Sequence, residues 1–165
     1  MSVTTLSQAA ERHLDDVYGY LAYLTGDRAL AEDLAAETFE RATRLWHRFD
    51  DDRAGVRTWL CQLARTVALD HFRSERRRTR REQAYARELP THDEGAFADG
   101  LSPALAAAVA RLSAADRELI ALRVVLDLDG ETAARVLGIS PTACSTRLSR
   151  ALAKLEKELN AHAAA

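Results

Sequence analysis

The chain has 165 residues, of which 47% are hydrophobic and 6% aromatic, with seven glycines, three prolines and a net charge of −2. This length allows one domain or two small ones, and the abundance of Ala and Leu favours an all-α fold. No apolar run approaches the roughly 18 residues of a membrane span, and no signal peptide pattern opens the chain. We therefore expect a cytoplasmic protein. Its two cysteines are too few for a disulfide framework and are expected to be buried thiols.

Charge is unevenly distributed along the chain. Residues 1–88 carry 15 basic and 15 acidic side chains, residues 89–100 carry three acidic and no basic ones, and residues 101–165 carry eight basic and seven acidic ones. Helical periodicity lapses in 89–100, where acids gather near Pro and Gly, which is typical of a flexible linker. The pattern predicts two small helical domains, 1–88 and 101–165, joined by a mobile acidic linker.

Two amphipathic helices are predicted at the start of the chain. The first runs from about Ser7 to Thr25, where Gly26 is a natural stop, and Asp27 caps a second helix that extends to about His47. The apolar stripe of the first helix is Leu6, Ala10, Leu14, Val17, Leu21 and Leu24. Much of the second helix is acidic, and this side is either solvated surface or a docking face for a basic partner.

The third predicted helix, 57–81, has one face to bury and one face that carries arginines. The first face comprises Leu60, Leu63, Ala64 and Val67; the second comprises Gln62, Arg65, Thr66, Arg73, Arg76 and Arg77. Residues 73–81 hold six arginines against one acid, and the guanidinium group suits phosphate because it can bond two oxygens at once. The alternative is a solvated helix end.

A turn-rich connector, 49–55, precedes this helix and is flanked by aromatic residues. Trp46, Phe49 and Trp59 lie close to it in the sequence. Exposed rings beside a basic helix are what stacking on an unpaired base requires. Otherwise the two tryptophans are core residues, and we favour that interpretation for Trp59.

The second half predicts four helices that end in a helix-turn-helix. Ser102-Pro103 opens a helix to about Leu112, and 113–116 is a capping box that opens a helix to about Leu126. Asp129 caps a short helix, Gly138 suits a tight turn, and Ser140-Pro141 starts a longer helix. The inward face of this last helix is predicted to comprise Cys144, Leu148, Leu152, Leu155 and Leu159. Its outward face comprises Thr142, Ala143, Thr146, Ser149 and Arg150, with Arg147 at the flank. Such a face can enter a major groove, although a plain αα-hairpin would fit the same pattern.

Taken together, these motifs resemble the sigma factors of the extracytoplasmic-function group, which have only two domains. The segments that carry the resemblance are AEDLAAETFERA at 31–42, RFDDDRAGVRTWL at 48–60, LARTVALDHFRSERRR at 63–78, LSAADRELIALR at 112–123 and LGISPTACSTRLSRALAKL at 137–155. The two halves would then be a region 2-like helical bundle and a region 4-like helix-turn-helix.

The resemblance implies a division of roles among three sets of residues. Core RNA polymerase would be bound by Asp33, Glu37, Phe39 and Glu40. The melted minus-ten element of promoter DNA would be bound by Phe49, Asp50, Arg53, Arg57, Trp59, Arg65, Thr66, Asp70, Arg73, Arg76 and Arg77. The minus-thirty-five duplex would be bound by Ser140, Thr142, Ala143, Ser145, Thr146, Arg147, Ser149 and Arg150. An inhibitory anti-sigma protein is a common further partner in the family.

The chain departs from the family pattern at five positions. Ala36 and Thr66 stand where the family usually has Gln and Asn, so each loses an amide. Cys144, Ser145 and Leu152 replace a common Val, Lys and Arg. The recognition helix is therefore less basic than in the family, and we expect weak DNA binding by the second half alone.

An enzyme is not indicated, and no cofactor is expected. The five histidines lack Cys or His partners at metal-ligand spacing, and there is no glycine-rich phosphate loop or nucleophile elbow. Two other classes of protein remain as alternatives: a stand-alone helix-turn-helix regulator that binds an operator by itself, and a helical module that binds only protein.

Overall fold

The computed structural model describes residues 5–52, 54–85 and 102–163. Seven α-helices are found within them, with a 3₁₀ turn after the second and a π-helical turn after the fifth. In chain order they are α1 (Leu6–Thr25), α2 (Arg28–Leu45), the 3₁₀ turn (Trp46–Arg48), α3 (Val56–Tyr85), α4 (Pro103–Ala110), α5 (Ala114–Ile120), the π-helical turn (Ala121–Val125), α6 (Gly130–Leu137) and α7 (Pro141–Ala163). The all-α fold is confirmed. The predicted linker, 89–100, lies outside the described residues.

Local capping chemistry sets most helix ends where the sequence predicts them. Asp27 Oδ1 accepts a hydrogen bond from the Leu30 amide at 3.0 Å, and Asp129, Ser102 and Ser113 cap α6, α4 and α5 in the same way. These bonds satisfy amides that have no partner inside the helix. Gly26 and Gly138 end α1 and α6 with φ values of 64° and 68°, which glycine adopts without steric cost.

The first three helices form a bundle around the apolar face of α3. Leu60, Ala64 and Val67 of this face are at most 1% exposed, and they belong to the same apolar cluster as Leu21 of α1 and Leu34 of α2. The bundle leaves the opposite side of α3 and the acidic side of α2 on the surface. Residues predicted to bind minus-ten DNA and polymerase lie on these two sides.

Helices α4, α5 and α6 pack around α7. Cys144 and Ala151 of α7 are 1% and 2% exposed, and Leu112 and Ile120 from the preceding helices are also buried. The arrangement α6, Gly138 turn and α7 is a helix-turn-helix, in which Ser140 Oγ accepts from the Ala143 amide at 3.1 Å. This geometry leaves the N-terminal part of α7 on the surface.

The two halves are in direct contact, which the sequence does not predict. A single apolar cluster contains Val17 and Tyr20 of α1 together with Leu119, Leu122 and Leu126 of the second half, all of them at most 2% exposed. Tyr23 of α1 also packs on a smaller cluster of the second half, formed by Leu112, Ile120 and Ala151. The hydrophobic core is therefore continuous between the halves.

Three details of the predicted helices are wrong. Leu14 and Leu152, expected to face inward, are 49% and 41% exposed. At 3.6 residues per turn, Leu14 lies roughly 90° from the centre of the buried side of α1, and Ala151 takes the inward position on α7. The helix predicted to run to Leu126 instead changes to π-helical geometry at Ala121–Val125.

Candidate nucleic-acid interface

The exposed side of α3 brings together five residues predicted to contact minus-ten DNA. We call this the α3 basic surface: Thr66, Asp70, Arg73, Arg76 and Arg77. All five are exposed. Arg73 is 68% exposed and lies 3.7 Å from Asp70, a distance at which a solvated ion pair contributes little. The guanidinium groups are therefore available to an anionic ligand.

Asp70 connects this surface to the acidic side of α2. Its Oδ2 accepts a hydrogen bond from Arg41 Nη1 at 3.2 Å, and Arg41 Nη2 donates to Glu37 Oε1 at 3.1 Å. A chain of ion pairs thus runs from Glu37 through Arg41 and Asp70 to Arg73. Because its members are at least a quarter exposed, it orients the side chains more than it stabilises the fold.

The three rings near the connector form an aromatic cluster: Trp46, Phe49 and Trp59. Trp46 and Phe49 are stacked with centroids 4.9 Å apart, and Trp59 lies 5.7 Å from Trp46 and 5.3 Å from Phe49. Trp59 also packs against the main apolar cluster. The rings therefore fix the connector to the start of α3, and all three remain partly accessible.

The connector itself is a turn closed by Asp50. Its Oδ1 accepts from the Asp52 amide at 3.1 Å, and its backbone carbonyl accepts from the Ala54 amide at 3.3 Å. Asp50 is exposed. Arg53, also predicted to contact minus-ten DNA, lies outside the described residues.

Two other predicted minus-ten residues, Arg65 and Arg57, are directed away from the α3 basic surface. Arg65 Nε donates to Glu118 Oε1 of α5 at 2.6 Å. Arg57 forms a two-pronged ion pair with Asp16 at 2.8 and 3.0 Å, and its Nη2 also donates to the Leu126 carbonyl oxygen. Both side chains thus bind groups of the second half, which sequence periodicity alone does not indicate.

The ionisable groups at this junction have shifted pKa values. Burial, and then the charge and hydrogen bond of Glu118, raise the pKa of Tyr20 well above its usual value, so its hydroxyl stays protonated and donates to Glu118 Oε1 at 3.1 Å. Partial burial would raise the pKa of Asp16, but hydrogen bonds from Arg57 and His13 more than offset it, and the pKa is lowered. The hydrogen bond to Asp16 raises the pKa of Arg57. Asp16 and Arg57 therefore both remain charged at neutral pH.

The helix-turn-helix presents the predicted minus-thirty-five residues on one side. Ser140, Thr142, Ala143, Ser145, Thr146, Ser149 and Arg150 are exposed. Most of them line an open concavity of about 690 Å³, together with Ile139, Arg147 and Asp116. Arg147 Nε donates to Asp116 Oδ1 at 3.3 Å, so an acid of α5 orients an arginine at the edge of the concavity. Small hydroxyls near a helix N-terminus, with two guanidinium groups in the second and third turns, are suited to phosphate and base edges.

The predicted polymerase-binding residues lie on the surface of α2. Asp33, Glu37 and Glu40 are exposed and Phe39 is half-buried against the core. Glu40 pairs with Arg44 at 3.6 Å, within the same helix. Ala36 is exposed on the same helix. Its methyl side chain offers a partner no hydrogen-bonding group at this surface position.

Glu118 and Asp116 contact candidate site residues and Tyr20 contacts Glu118, yet neither helical period nor the motifs point to them. Glu118 is 8% exposed although it carries a carboxyl group. The only signal was its position in the otherwise apolar run of residues 118–122, since a buried carboxylate needs a partner. That signal does not identify the partner.

Neither a metal-ligand cluster nor a membrane-spanning helix is found in the part of the chain that the structure describes. There, no three His, Cys, Asp or Glu side chains lie close enough together to hold a metal ion. Among the described helices, none combines the length and the hydrophobicity that a transmembrane span requires. Cys61 and Cys144 are buried free thiols.

The described residues place a basic helix in the first half and a helix-turn-helix in the second. This arrangement is typical of helical DNA-binding proteins. Matches to family models identify which kind. Residues 9–78 match sigma-70 region 2, and residues 102–155 match sigma-70 region 4.

Individual relatives agree with the family models. The chain is 36% identical to the ECF RNA polymerase sigma factor BldN of Streptomyces coelicolor, over 90% of this chain and 58% of BldN. It is also 36% identical to the ECF RNA polymerase sigma factor SigC of Mycobacterium tuberculosis, over 82% of this chain and 73% of SigC. The structure of CnrH in complex with the cytosolic domain of CnrY superposes with a TM-score of 0.70 and 27% identity, over 94% of this chain and 88% of CnrH. The chain belongs to the extracytoplasmic-function group of the sigma-70 family.

Proposed function

We propose that the chain is a dissociable promoter-recognition subunit of RNA polymerase and itself catalyses no reaction. The observation that carries this proposal is that one chain has two exposed surfaces of different chemistry, both compatible with DNA, in the order region 2 then region 4. The α3 basic surface is suited to a melted strand, and the hydroxyl-rich face of α7 is suited to a duplex groove.

The first part of the proposal is that the α3 basic surface holds the melted minus-ten strand. Its exposed guanidinium groups would bind backbone phosphates of the separated strand, and the partly accessible aromatic cluster would contact an unstacked base. Unstacking a base costs a few kcal/mol, so several contacts are needed to offset it. The connector around Asp50 would position the captured strand.

Replacing two of these arginines tests this part. Arg73→Ala with Arg77→Ala should reduce the yield of open promoter complexes while leaving binding to core polymerase nearly intact. A matched control, Arg12→Ala with Arg111→Ala, removes the same charge from exposed positions elsewhere. Potassium permanganate footprinting of the melted bases gives the yield, and an equal yield from both pairs would refute the assignment.

The second part is that the acidic side of α2 binds core polymerase. Asp33 and Glu37 are exposed one turn apart, and Phe39 of the same helix is half-buried against the core. Asp33→Lys with Glu37→Lys should abolish co-purification with core enzyme, because charge reversal opposes a basic docking surface. Glu11→Lys with Asp15→Lys makes the same change at exposed positions of α1 and should co-purify normally. Normal co-purification of the first pair would exclude this role.

The third part is that α7 contacts the minus-thirty-five duplex. Thr142, Thr146 and Arg150 lie along the concavity, and Arg147 is oriented by Asp116. The face contains only two arginines, so its affinity for DNA depends on attachment to polymerase. We also propose an inhibitory protein partner, on the basis that the CnrH structure contains the cytosolic domain of CnrY bound to a chain of this fold.

One experiment separates this function from the two alternatives. Purified chain is mixed with a random promoter library, with and without core polymerase, and both binding and transcription are measured. Selection of specific promoters only with core polymerase supports the proposal. Specific duplex binding by the chain alone would indicate a stand-alone regulator, and no DNA binding in either case would indicate a protein-only module.

A further inference from the structure

The helix-turn-helix has an acid on the surface that the proposed function assigns to duplex DNA. Asp116 of α5 lines the same concavity as Thr146, Arg147 and Arg150 of α7. Because a carboxylate repels phosphate, charge alone makes Asp116 unfavourable for DNA binding at this surface. Its contact with Arg147 indicates a different role.

Asp116 is fixed in place where it meets Arg147. Its backbone amide donates to Ser113 Oγ at 3.1 Å and to the Ser113 carbonyl oxygen at 3.0 Å, in the first turn of α5. Its side chain is 22% exposed, against 41% for Arg147. The carboxylate is therefore a fixed acceptor that limits the positions open to the longer and more exposed arginine side chain.

The contact uses only one edge of the guanidinium group. Arg147 Nε donates to Asp116 Oδ1 at 3.3 Å, and no other described residue accepts a hydrogen bond from Arg147. Both Nη nitrogens stay available for an anion, in a rigid fork that can bond two phosphate oxygens at once. Arg150 is exposed on the same concavity but forms no ion pair with a described residue. Arg147 is thus the arginine of this surface that an acid orients.

The position of Arg147 on α7 favours a backbone phosphate over a base as its ligand. Thr146 lies at the centre of the outward face, and at 3.6 residues per turn Arg147 lies roughly 100° away from it. When the helix enters a major groove, a side chain at this angle lies towards the edge of the groove and not its floor. Phosphates at the edge fix the orientation of a protein on the duplex.

We propose that Asp116 is a positioning residue that holds Arg147 ready to bind a backbone phosphate of duplex DNA. The proposal rests on the proposed function in one respect, namely that α7 contacts a duplex. Because the carboxylate orders the arginine in advance, DNA binding no longer has to immobilise that side chain.

The gain from this order exceeds the repulsion between carboxylate and phosphate. Immobilising one long side chain on binding lowers affinity by about two- to tenfold. Repulsion across about 7 Å, the span of a guanidinium group between two anions, changes affinity by less than about twofold at about 0.1 M salt. Positioning is therefore the larger effect of Asp116 on DNA binding.

Binding of the full chain to a labelled duplex DNA of random sequence tests the proposal, with fluorescence anisotropy over a range of salt concentrations. A phosphate contact carries no sequence information, so neither a known promoter nor polymerase is needed. Arg147→Gln should weaken binding and lower the slope of log K against log salt by about 0.9, the loss of one phosphate contact. The α3 basic surface is the same in every variant, so its contribution cancels in affinity ratios.

Asp116→Asn is compared with Glu131→Gln, which removes one negative charge from an exposed position of α6. Asp116→Asn should bind about two- to tenfold more weakly than Glu131→Gln, because both lose a charge but only the first releases an arginine. Asp116→Glu keeps the carboxylate and should recover most of the affinity. Far-UV circular dichroism verifies that each variant is folded.

Combined substitutions distinguish positioning from a purely structural role. In a chain that already carries Arg147→Gln, Asp116→Asn should no longer weaken binding relative to Glu131→Gln, since the residue through which it acts is gone. A structural effect on α5 would persist in that background.

The proposal is overturned if Asp116→Asn binds as tightly as Glu131→Gln, if Asp116→Glu binds as weakly as Asp116→Asn, or if the loss persists without Arg147. Should Arg147→Gln leave duplex binding unchanged, the proposed contact of α7 with the duplex fails as well. None of these measurements involves polymerase. A chain with the expected coupling that never supports transcription would therefore refute only its role as a polymerase subunit.

Discussion

Replacing Leu122 by Ala tests whether the two halves unfold as one unit. Leu122 lies in the π-helical turn of the second half, is 0% exposed, and belongs to the apolar cluster that includes Val17 and Tyr20 of α1. Truncating a fully buried leucine costs about 2–5 kcal/mol, because the loss of transfer free energy is increased by the cavity left behind. For a central value of about 3 kcal/mol, a chain of this size should lose about 6–12 °C in Tm.

Because both tryptophans lie in the first half, their fluorescence can follow the unfolding of that half alone. Trp46 and Trp59 are the only tryptophans, and residues 101–165 contain no aromatic residue. Intrinsic fluorescence therefore reports only on the first half, whereas far-UV circular dichroism reports on helices of both. With a shared core, Leu122→Ala should lower the fluorescence midpoint and the dichroism midpoint equally, since coincident transitions are the sign of two-state unfolding.

The control and the refuting result come from the same experiment. Leu152→Ala makes the same chemical change in the second half at a position that is 41% exposed, and should shift either midpoint by less than about a third as much. A Leu122→Ala variant whose fluorescence midpoint stays at the wild-type value, while dichroism shows an earlier second transition, would show that the halves unfold independently.

Two further predictions concern ionisable groups. Burial above all raises the pKa of Cys61 to about 12, and Cys144 is 1% exposed. Ellman's reagent at pH 8 should therefore detect neither thiol in the folded protein and both in denaturant; rapid labelling before unfolding would contradict this burial. Because the pKa of Asp16 is lowered in the folded protein, its ion pair with Arg57 stabilises the fold at any pH above the unfolded-state pKa of about 4. This contribution is lost as the pH falls from that value through the lower folded-state pKa. Asp16→Asn should thus lower the free energy of unfolding by about 1 kcal/mol at pH 7, with a difference that shrinks below about pH 4; a difference that stays constant with pH in urea titrations would refute the ionic origin.

Much of the helical framework could be predicted because its causes are local. Asp27, Asp129 and Ser140 cap helices within three residues of their own positions, and Gly26 and Gly138 end helices through backbone angles that glycine favours. The buried face of α3 followed from its periodicity for the same reason. Errors arose where the centre of a buried face depended on its neighbours, as at Leu14 and Leu152.

The candidate surfaces were predicted with different success. The exposed positions of Thr66, Arg73, Arg76 and Arg77 followed from helical period, as did the outward face of α7. The direction of Arg65 did not, because it lies at the edge of the polar face of α3, where the packing of a second element decides which side it joins. Arg57 precedes the buried Leu60, Cys61 and Ala64 by three, four and seven residues, so helical period places it on the buried side, although it does not identify its partners. The roles of both arginines in DNA binding stay predictions.

The sequence by itself determined the helices, their caps and the two clusters of DNA-compatible side chains, since these depend on residues a few positions apart. Only the tertiary structure decided that Glu118 meets Arg65 and Tyr20, partners that are 53 and 98 residues away along the chain. Periodicity assigns a residue to a face of its own helix, but the partner of that face is set by the shape and burial of the whole core. For this reason the contact between the halves emerged from the folded chain alone.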